Sequence, residues 1–600
     1  TPRWDLSNVY PGLDAPEFLA AVAQVTAQLD ELEALFAGRV AAAGPDAGLA
    51  VIGPLLGEVI DQFNAVNELA GTVRSYIYGF VSTDSRDALA RRRLSEFDTL
   101  SVRLQNLTTR LQAWIGQLGP VLEEAIAANP TAAGHAFILR EAAEQSKYLM
   151  SEAEESLAAA LNVSGSHAWS KLQGTITSQL SVDFELDGEM QRLPLPALIN
   201  LHSHPDEGVR RRAYEAELAA LASVREPLAA CLNGVKGTAN TLNQRRGRTD
   251  ALHAALDSSR IDRATLEAML GAMEAAFPTF RRYFRAKAQR LGKERLAWWD
   301  VFAPAGGAGE ASRKVYTFSE ARDFILANFA GFSPLLEGLA RRAFDGRWID
   351  AEQRDGKRGG AFCMGVDAVR ESRVLCNFDG TLDQVSTIAH ELGHAFHNEC
   401  LYAAGKTYLQ SDTPMTLAET ASIMCETIVM DAVLRATTDP AEELAILETI
   451  LIGDTQVIVD IYSRYLFERE VFERRAEAEL SADDLCDIMQ RAQQATYGDG
   501  LDQNYLHPYM WTWKPHYYRA ELSFYNYPYA FGLLFGTGLY AIYQQRGAAF
   551  VPDYVNLLAS TGEGTAADLA ARFGIDIRDR AFWEGSLAVI GRRIERYCAL

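Results

Sequence analysis

In PEFLAAVAQVTAQLDELEALFAG, residues 16–38, the apolar side chains Phe18, Val22, Val25, Leu29, Leu32 and Phe36 return every three or four positions. That period buries one face of an α-helix, whereas a strand would need alternation at every second residue. Pro16 and Gly38 supply start and stop signals. Similar patterns occupy 48–80, 85–128 and 151–161, so the first two hundred residues predict long amphipathic helices. Strand candidates are confined to VDFELDG near 182–188 and the pair GGAFCMG and SRVLCNF within 359–378. No fixed-period repeat is present, which removes solenoids and leaves a mainly α, multi-helical fold class. Six hundred residues exceed one compact core, so two or more domains are expected. A soft boundary near 200 separates an N-terminal helical domain, 1–200, from a second domain, 201–600. RDGKRGG, 354–360, reads as a flexible loop opening the small sheet.

Lys and Arg total 57 against 79 for Asp and Glu, a net charge of -22 that disfavours nucleic acid or an anionic membrane as a general partner. Seven cysteines (231, 363, 376, 400, 425, 486 and 598) form no Cys-x-x-Cys pair, which fits a reducing cytoplasm better than a disulfide framework. TPRWDLSNVYPGLD has neither the basic start nor the apolar core of a secretory signal. Leu522 to Gln545 carries no charge over a span-like length. Asn526, Pro528, Thr537 and five tyrosines would be costly in lipid, so this segment is expected to be buried in protein.

The chemistry concentrates in STIAHELGHAFH, 386–397. His390 and His394, four apart on a helix, lie about 6 Å apart along its axis and on one face, so both imidazoles can reach one metal ion. Glu391 between them completes a His-Glu-x-x-His pattern, in which the histidines bind zinc and the glutamate activates a water. Asp383 is a plausible N-cap for this helix. A catalytic zinc takes a third protein ligand, and Glu419 in TPMTLAETASIMCETIVMDAVL is the candidate. The competing reading makes Thr416 an N-cap and Glu419 its capping-box partner. His397 lies about 10.5 Å along the axis from His390, too far to share the ion. Cys400 stands where a metzincin would have a third histidine, which disfavours that class.

These motifs, together with RWDLSNVYPG at the N-terminus, SGSHAWSKL at 164–172, NFDGTLDQVSTIAHELGHAFH, TLAETASIMCE and HYYRAELSFYNYPYAFG, make the chain resemble the oligoendopeptidase F and thimet oligopeptidase group of zinc metallopeptidases. The resemblance spans most of the chain. It implies a helical, two-lobed body with a small sheet beside a deep channel, one zinc per chain on the channel floor, and oligopeptide substrates. Carried over position by position, it implies His390, His394 and Glu419 as zinc ligands and Glu391 as general base. His516 and Tyr527 are implied as donors to the tetrahedral oxyanion, with Tyr525 and Tyr529 hard to separate from Tyr527. His397, Tyr525, Tyr529 and Asn377 are candidate substrate contacts.

The segment Arg373 to Phe378 is either an exposed edge strand that pairs with an extended peptide or an ordinary covered hairpin. The expectation is thus a cytoplasmic zinc endopeptidase acting on short peptides, monomeric or homodimeric, with no nucleic-acid or membrane partner. A metallocarboxypeptidase with the same site is the alternative within enzymes, and a non-catalytic peptide-binding scaffold the alternative outside them.

Overall fold

Each amphipathic run forms a helix in the computed structural model, which describes residues 1–305 and 315–600. They are α1 (Pro16–Leu35), α2 (Leu49–Thr83), α3 (Ala88–Leu118), which a turn at Gly119–Val121 separates from the helix Leu122–Ala128, and the helix Glu152–Ser164. Pro16 opens α1 as expected, but Gly38 does not end it. The helix passes at Leu35 into a π-helical turn, Phe36–Val40. The periodic faces meet in one core that joins Phe18, Leu29 and Leu32 to Leu56, Val59 and Phe63 of α2 and to Phe97 and Trp114 of α3. Side chains of this size each contribute about 1.5–3 kcal/mol when fully buried.

The chain folds into two compact units, each assembled from three stretches. The first comprises Thr1–Tyr148, Lys314–Val433 and Ile542–Gly574. The second comprises Leu149–Arg313, Leu434–Ala541 and Ile575–Leu600. The first junction between them along the chain falls at 148/149. In the second unit, strands β1 (Ser181–Leu186) and β2 (Glu189–Pro194) form an antiparallel hairpin. Phe184 of that hairpin packs with Leu198, Val209 and Ala213, so a small core bridges position 200 where a linker was anticipated. The charge-free late segment forms the helix Tyr527–Arg546, which buries Tyr527, Phe531, Leu534, Phe535 and Leu539 in protein. Among the described residues, α2 alone is long and apolar enough to cross a membrane, and half of its most apolar window is buried in the protein.

The first unit holds a three-stranded sheet, β3 (Ile349–Asp350), β4 (Phe362–Val366) and β5 (Glu371–Leu375), in the order β3-β5-β4. β5 runs parallel to β3 and antiparallel to β4. The strand beginning at Arg373 is thus the central one. Arg373 itself is buried, its guanidinium donating to the Asp5 carbonyl at 2.8 Å and to Asn8 Oδ1 at 2.7 Å. The outer strands of the sheet are β3 and β4. The 354–360 loop is clamped where flexibility was anticipated, because the Lys357 ammonium pairs with Asp350 at 2.7 Å and donates to the Cys376 carbonyl at 2.6 Å.

Candidate active site

The motif helix spans Leu382–Ala403. Its N-cap is Thr381, whose hydroxyl accepts from the Gln384 N–H at 3.3 Å. Asp383, expected as the cap, stands instead in the first turn, where its charge complements the helix dipole. His390 and His394 project one above the other with ring centroids 5.0 Å apart. Glu419 occupies the break between a short turn, Met415–Ala418, and the helix Thr420–Ala436, so it is not the third residue of a capping box. Its Oε2 lies 3.2 Å from His390 Nε2 and 3.5 Å from His394 Nε2. One donor atom from each of the three residues falls within 4.8 Å of the others, a grouping of two imidazoles and one carboxylate suited to a divalent cation such as zinc.

Neighbouring groups hold these donors in place. Ser422 donates to Glu419 Oε2 at 2.6 Å, and Glu426 accepts from His390 Nδ1 at 3.1 Å. The second contact fixes the tautomer that leaves Nε2 free to ligate. Sequence reasoning passed over Glu426, although it stands seven residues, two helical turns, beyond Glu419. It also passed over Gly393. A Cβ there would lie 2.5 Å from the Ala421 carbonyl oxygen and 2.6 Å from Ser422 Cα, so the missing side chain lets the Glu419 segment approach the motif helix. Gly393→Ala is expected to cost about 1–3 kcal/mol, read by chemical denaturation, and to reduce bound metal. Unchanged stability together with full metal content would contradict this packing role.

Electrostatics tie the donors into one unit. Burial works against it, but hydrogen bonds to Glu419 and Glu426 push His390 up to about 10. Burial drives His394 down to about 4. Glu419 is held at about 2, against its burial, by the hydrogen bond from His390 and the two imidazole charges. Glu391 is 6% exposed, and its Oε2 has no hydrogen-bond partner among the described residues. Burial, with help from Glu419, pushes its carboxyl up to about 7. A carboxylate oxygen without a donor is costly in a core.

These side chains line a cavity of about 820 Å³ within the first unit. Ala361, Phe362, Cys363, Gly365 and Asp367 of the β4 segment also line it.

The remaining predicted residues are placed as follows. His397 lines the cavity but is buried, with Nε2 2.8 Å from the Thr561 hydroxyl, so its polar edge is engaged by protein. The Asn377 amide donates to the carbonyls of Arg358 (3.1 Å) and Gly360 (3.0 Å), which gives it the task of holding the 354–360 loop. His516, Tyr525, Tyr527 and Tyr529 all belong to the second unit. Tyr527 is 1% exposed, and its hydroxyl is taken up by the Ala255 carbonyl at 2.9 Å and Ser259 Oγ at 3.0 Å. Tyr525 stacks on His516 with centroids 4.9 Å apart, and Tyr529 is exposed. Burial, then the charges of Arg464, Arg519 and Lys514, lower the His516 pKa.

Residues 330–589 match Peptidase family M3, and residues 120–181 match Oligopeptidase F. The chain is 24% identical over 407 residues to an oligoendopeptidase F homolog of Lactococcus lactis, covering 68% of this chain and 66% of that protein. It is 23% identical over 445 residues to oligopeptidase PepF of Bacillus subtilis, covering 73% and 65%. The matches thus span just under two thirds of these relatives' own length. An oligoendopeptidase F homolog of Borreliella burgdorferi is 22% identical over 560 residues and 90% of each chain. Among solved structures, oligoendopeptidase-F from Enterococcus faecium superposes with a TM-score of 0.69 at 17% identity, covering 97% of this chain and 98% of its own. A protein from Chlamydophila abortus superposes with a TM-score of 0.83 at 20% identity over 98% of both chains. At these identities the structural likeness speaks for a shared fold.

Proposed function

As the chain belongs to peptidase family M3, alongside the oligoendopeptidase F proteins, we propose that it is a zinc endopeptidase hydrolysing short oligopeptides. The observation that carries this reading is the convergence of His390, His394 and Glu419 on one cavity wall beside Glu391, whose Oε2 has no hydrogen-bond partner among the described residues. Zinc held by those three side chains would supply Lewis acidity toward the scissile carbonyl and make a nearby water more acidic. Glu391 takes the proton of the attacking water and delivers it to the leaving nitrogen. Glu426 keeps His390 oriented throughout. The peptide lies extended along β4, whose outward backbone groups bind it through contacts indifferent to side-chain identity. Such binding suits a broad set of peptides. With all seven cysteines free of disulfides, a reducing cytoplasm is the proposed location.

For the oxyanion donors we propose His516 and a tyrosine of the 525–529 run. The Tyr527 hydroxyl is spent on Ala255 and Ser259, whereas Tyr525 stacks on the histidine, so Tyr525 is the preferred partner. Tyr525→Phe is expected to lower kcat by roughly 10²-fold with little change in KM, and Tyr527→Phe to act mainly on stability. The opposite pattern in steady-state kinetics would return the role to Tyr527.

The reading itself is tested with an internally quenched peptide blocked at both ends. Cleavage is expected at internal bonds, to cease after chelation, and to return with about one equivalent of zinc. Trimming only of unblocked peptides from the C-terminus would favour a carboxypeptidase. Zinc binding without hydrolysis of any peptide would favour a scaffold.

A further inference from the structure

Beyond the metal donors, the cavity wall carries two guanidiniums, Arg74 and Arg370. Among the described residues neither has a carboxylate partner. Acids outnumber bases 79 to 57 in this chain, and Lys406, on the same wall, is already held by Glu563 at 2.7 Å. Two free arginines here are therefore not explained by the fold.

Both stand on segments that meet at the Asp367 turn. Thr72 on α2 accepts from the Ala368 N–H at 3.1 Å, which pins that helix against the turn Asp367–Val369 at the end of β4. A Cβ at Gly71 would come within 3.3 Å of Asp367 Oδ2. Arg74 lies one helical turn beyond Gly71, and Arg370 closes the Asp367 turn in the left-handed backbone region, with φ 51°. Asp367 is a poor partner for them. The Tyr402 hydroxyl donates to it at 2.8 Å, and burial raises its pKa.

The strand supplies a ruler. Cys363 and Glu391 line the same cavity, so this part of β4 shares its wall with the reacting groups. From residue 363 to residue 367 an extended chain advances about 13 Å at roughly 3.3 Å per residue. Resting on the peptidase reading above, we propose that Arg74 and Arg370 form a carboxylate subsite, which binds an acidic group of an extended peptide about four residues from the scissile bond. If the peptide runs antiparallel to β4, that group lies on its N-terminal side, and only an Asp or Glu side chain can provide it. If it runs parallel, the group lies on the C-terminal side, where the peptide's own terminal carboxylate can serve as well.

The test uses the zinc-loaded full chain and a set of peptides sharing one cleavable bond. Glu is compared with Gln at each position on either side, and C-terminal acids are compared with amides. A roughly three- to tenfold higher kcat/KM is expected for Glu over Gln three to five residues from the bond on one side, as for partly solvated ion pairs. A free acid preferred over the amide at that distance would identify the terminal carboxylate as the ligand. In R74Q/R370Q the ratio should fall to about one, and in R74E/R370E it should invert. Both residues are exposed, so these variants are expected to fold. A wild-type ratio of one, or a preference that survives in R74Q/R370Q, overturns the subsite while leaving the peptidase reading standing. Failure to cleave any peptide of the set, neutral ones included, overturns that reading and the subsite with it.

Discussion

Glu391→Gln is expected to lower kcat by about 10² to 10⁴-fold or more while leaving metal content and peptide affinity near those of the parent. The carboxylate is not one of the three converging donors, so its amide does not remove a ligand. The amide cannot accept a proton from water, and that step is lost. The structure adds a second expectation. Glu391 is buried with one oxygen lacking any hydrogen-bond partner among the described residues, so exchanging it for a neutral amide should hold or raise the melting temperature. Loss of activity with unchanged or increased stability is what a group retained for chemistry produces. A variant keeping more than roughly a tenth of the parent kcat would remove Glu391 from the mechanism.

Glu419→Ala should be as damaging for a different reason. Glu419 supplies the carboxylate oxygen that faces both imidazoles, and its removal leaves two donors where a stable zinc site needs three. Loss of groups that merely orient a ligand costs 10- to 100-fold in metal affinity, so loss of the ligand itself should exceed about 100-fold. Competition with a chelator of known affinity measures it. Activity should return in part at high zinc, which distinguishes this variant from Glu391→Gln. Full zinc affinity in the alanine variant would contradict the ligand assignment.

The parts of this molecule legible in sequence are those set by local periodicity. The three-and-four spacing of Phe18, Leu29 and Leu32 dictates α1 wherever that helix later packs, and the four-residue spacing of His390 and His394 dictates their shared face. What depends on distant partners was not legible. The 371–375 strand is central because β3 and β4 flank it, and no property of its own residues says so. Thr381 and Asp383 are both good caps, and only the backbone decides between them. The hydrogen bonds of the Tyr527 hydroxyl were not legible either, because its partners, Ala255 and Ser259, lie far back in the chain. The packing of Phe184 against Leu198, Val209 and Ala213 across position 200 is likewise a tertiary feature.

The threading of the two units bears on how the chain is made. The first needs Ile542–Gly574 and the second needs Ile575–Leu600, so neither is complete until residues beyond 541 have been made. Early segments such as α1 to α3 can collapse as they emerge, but their remaining partners arrive hundreds of residues later, after loop closures that carry a large entropic cost. Such a nascent chain spends most of its synthesis with apolar surface uncovered, the state in which chains of this size aggregate or engage chaperones. The candidate metal donors have their own schedule. His390, His394 and Glu419 all lie within residues 390–419, so the donor set leaves the ribosome long before the unit that must enclose it is finished.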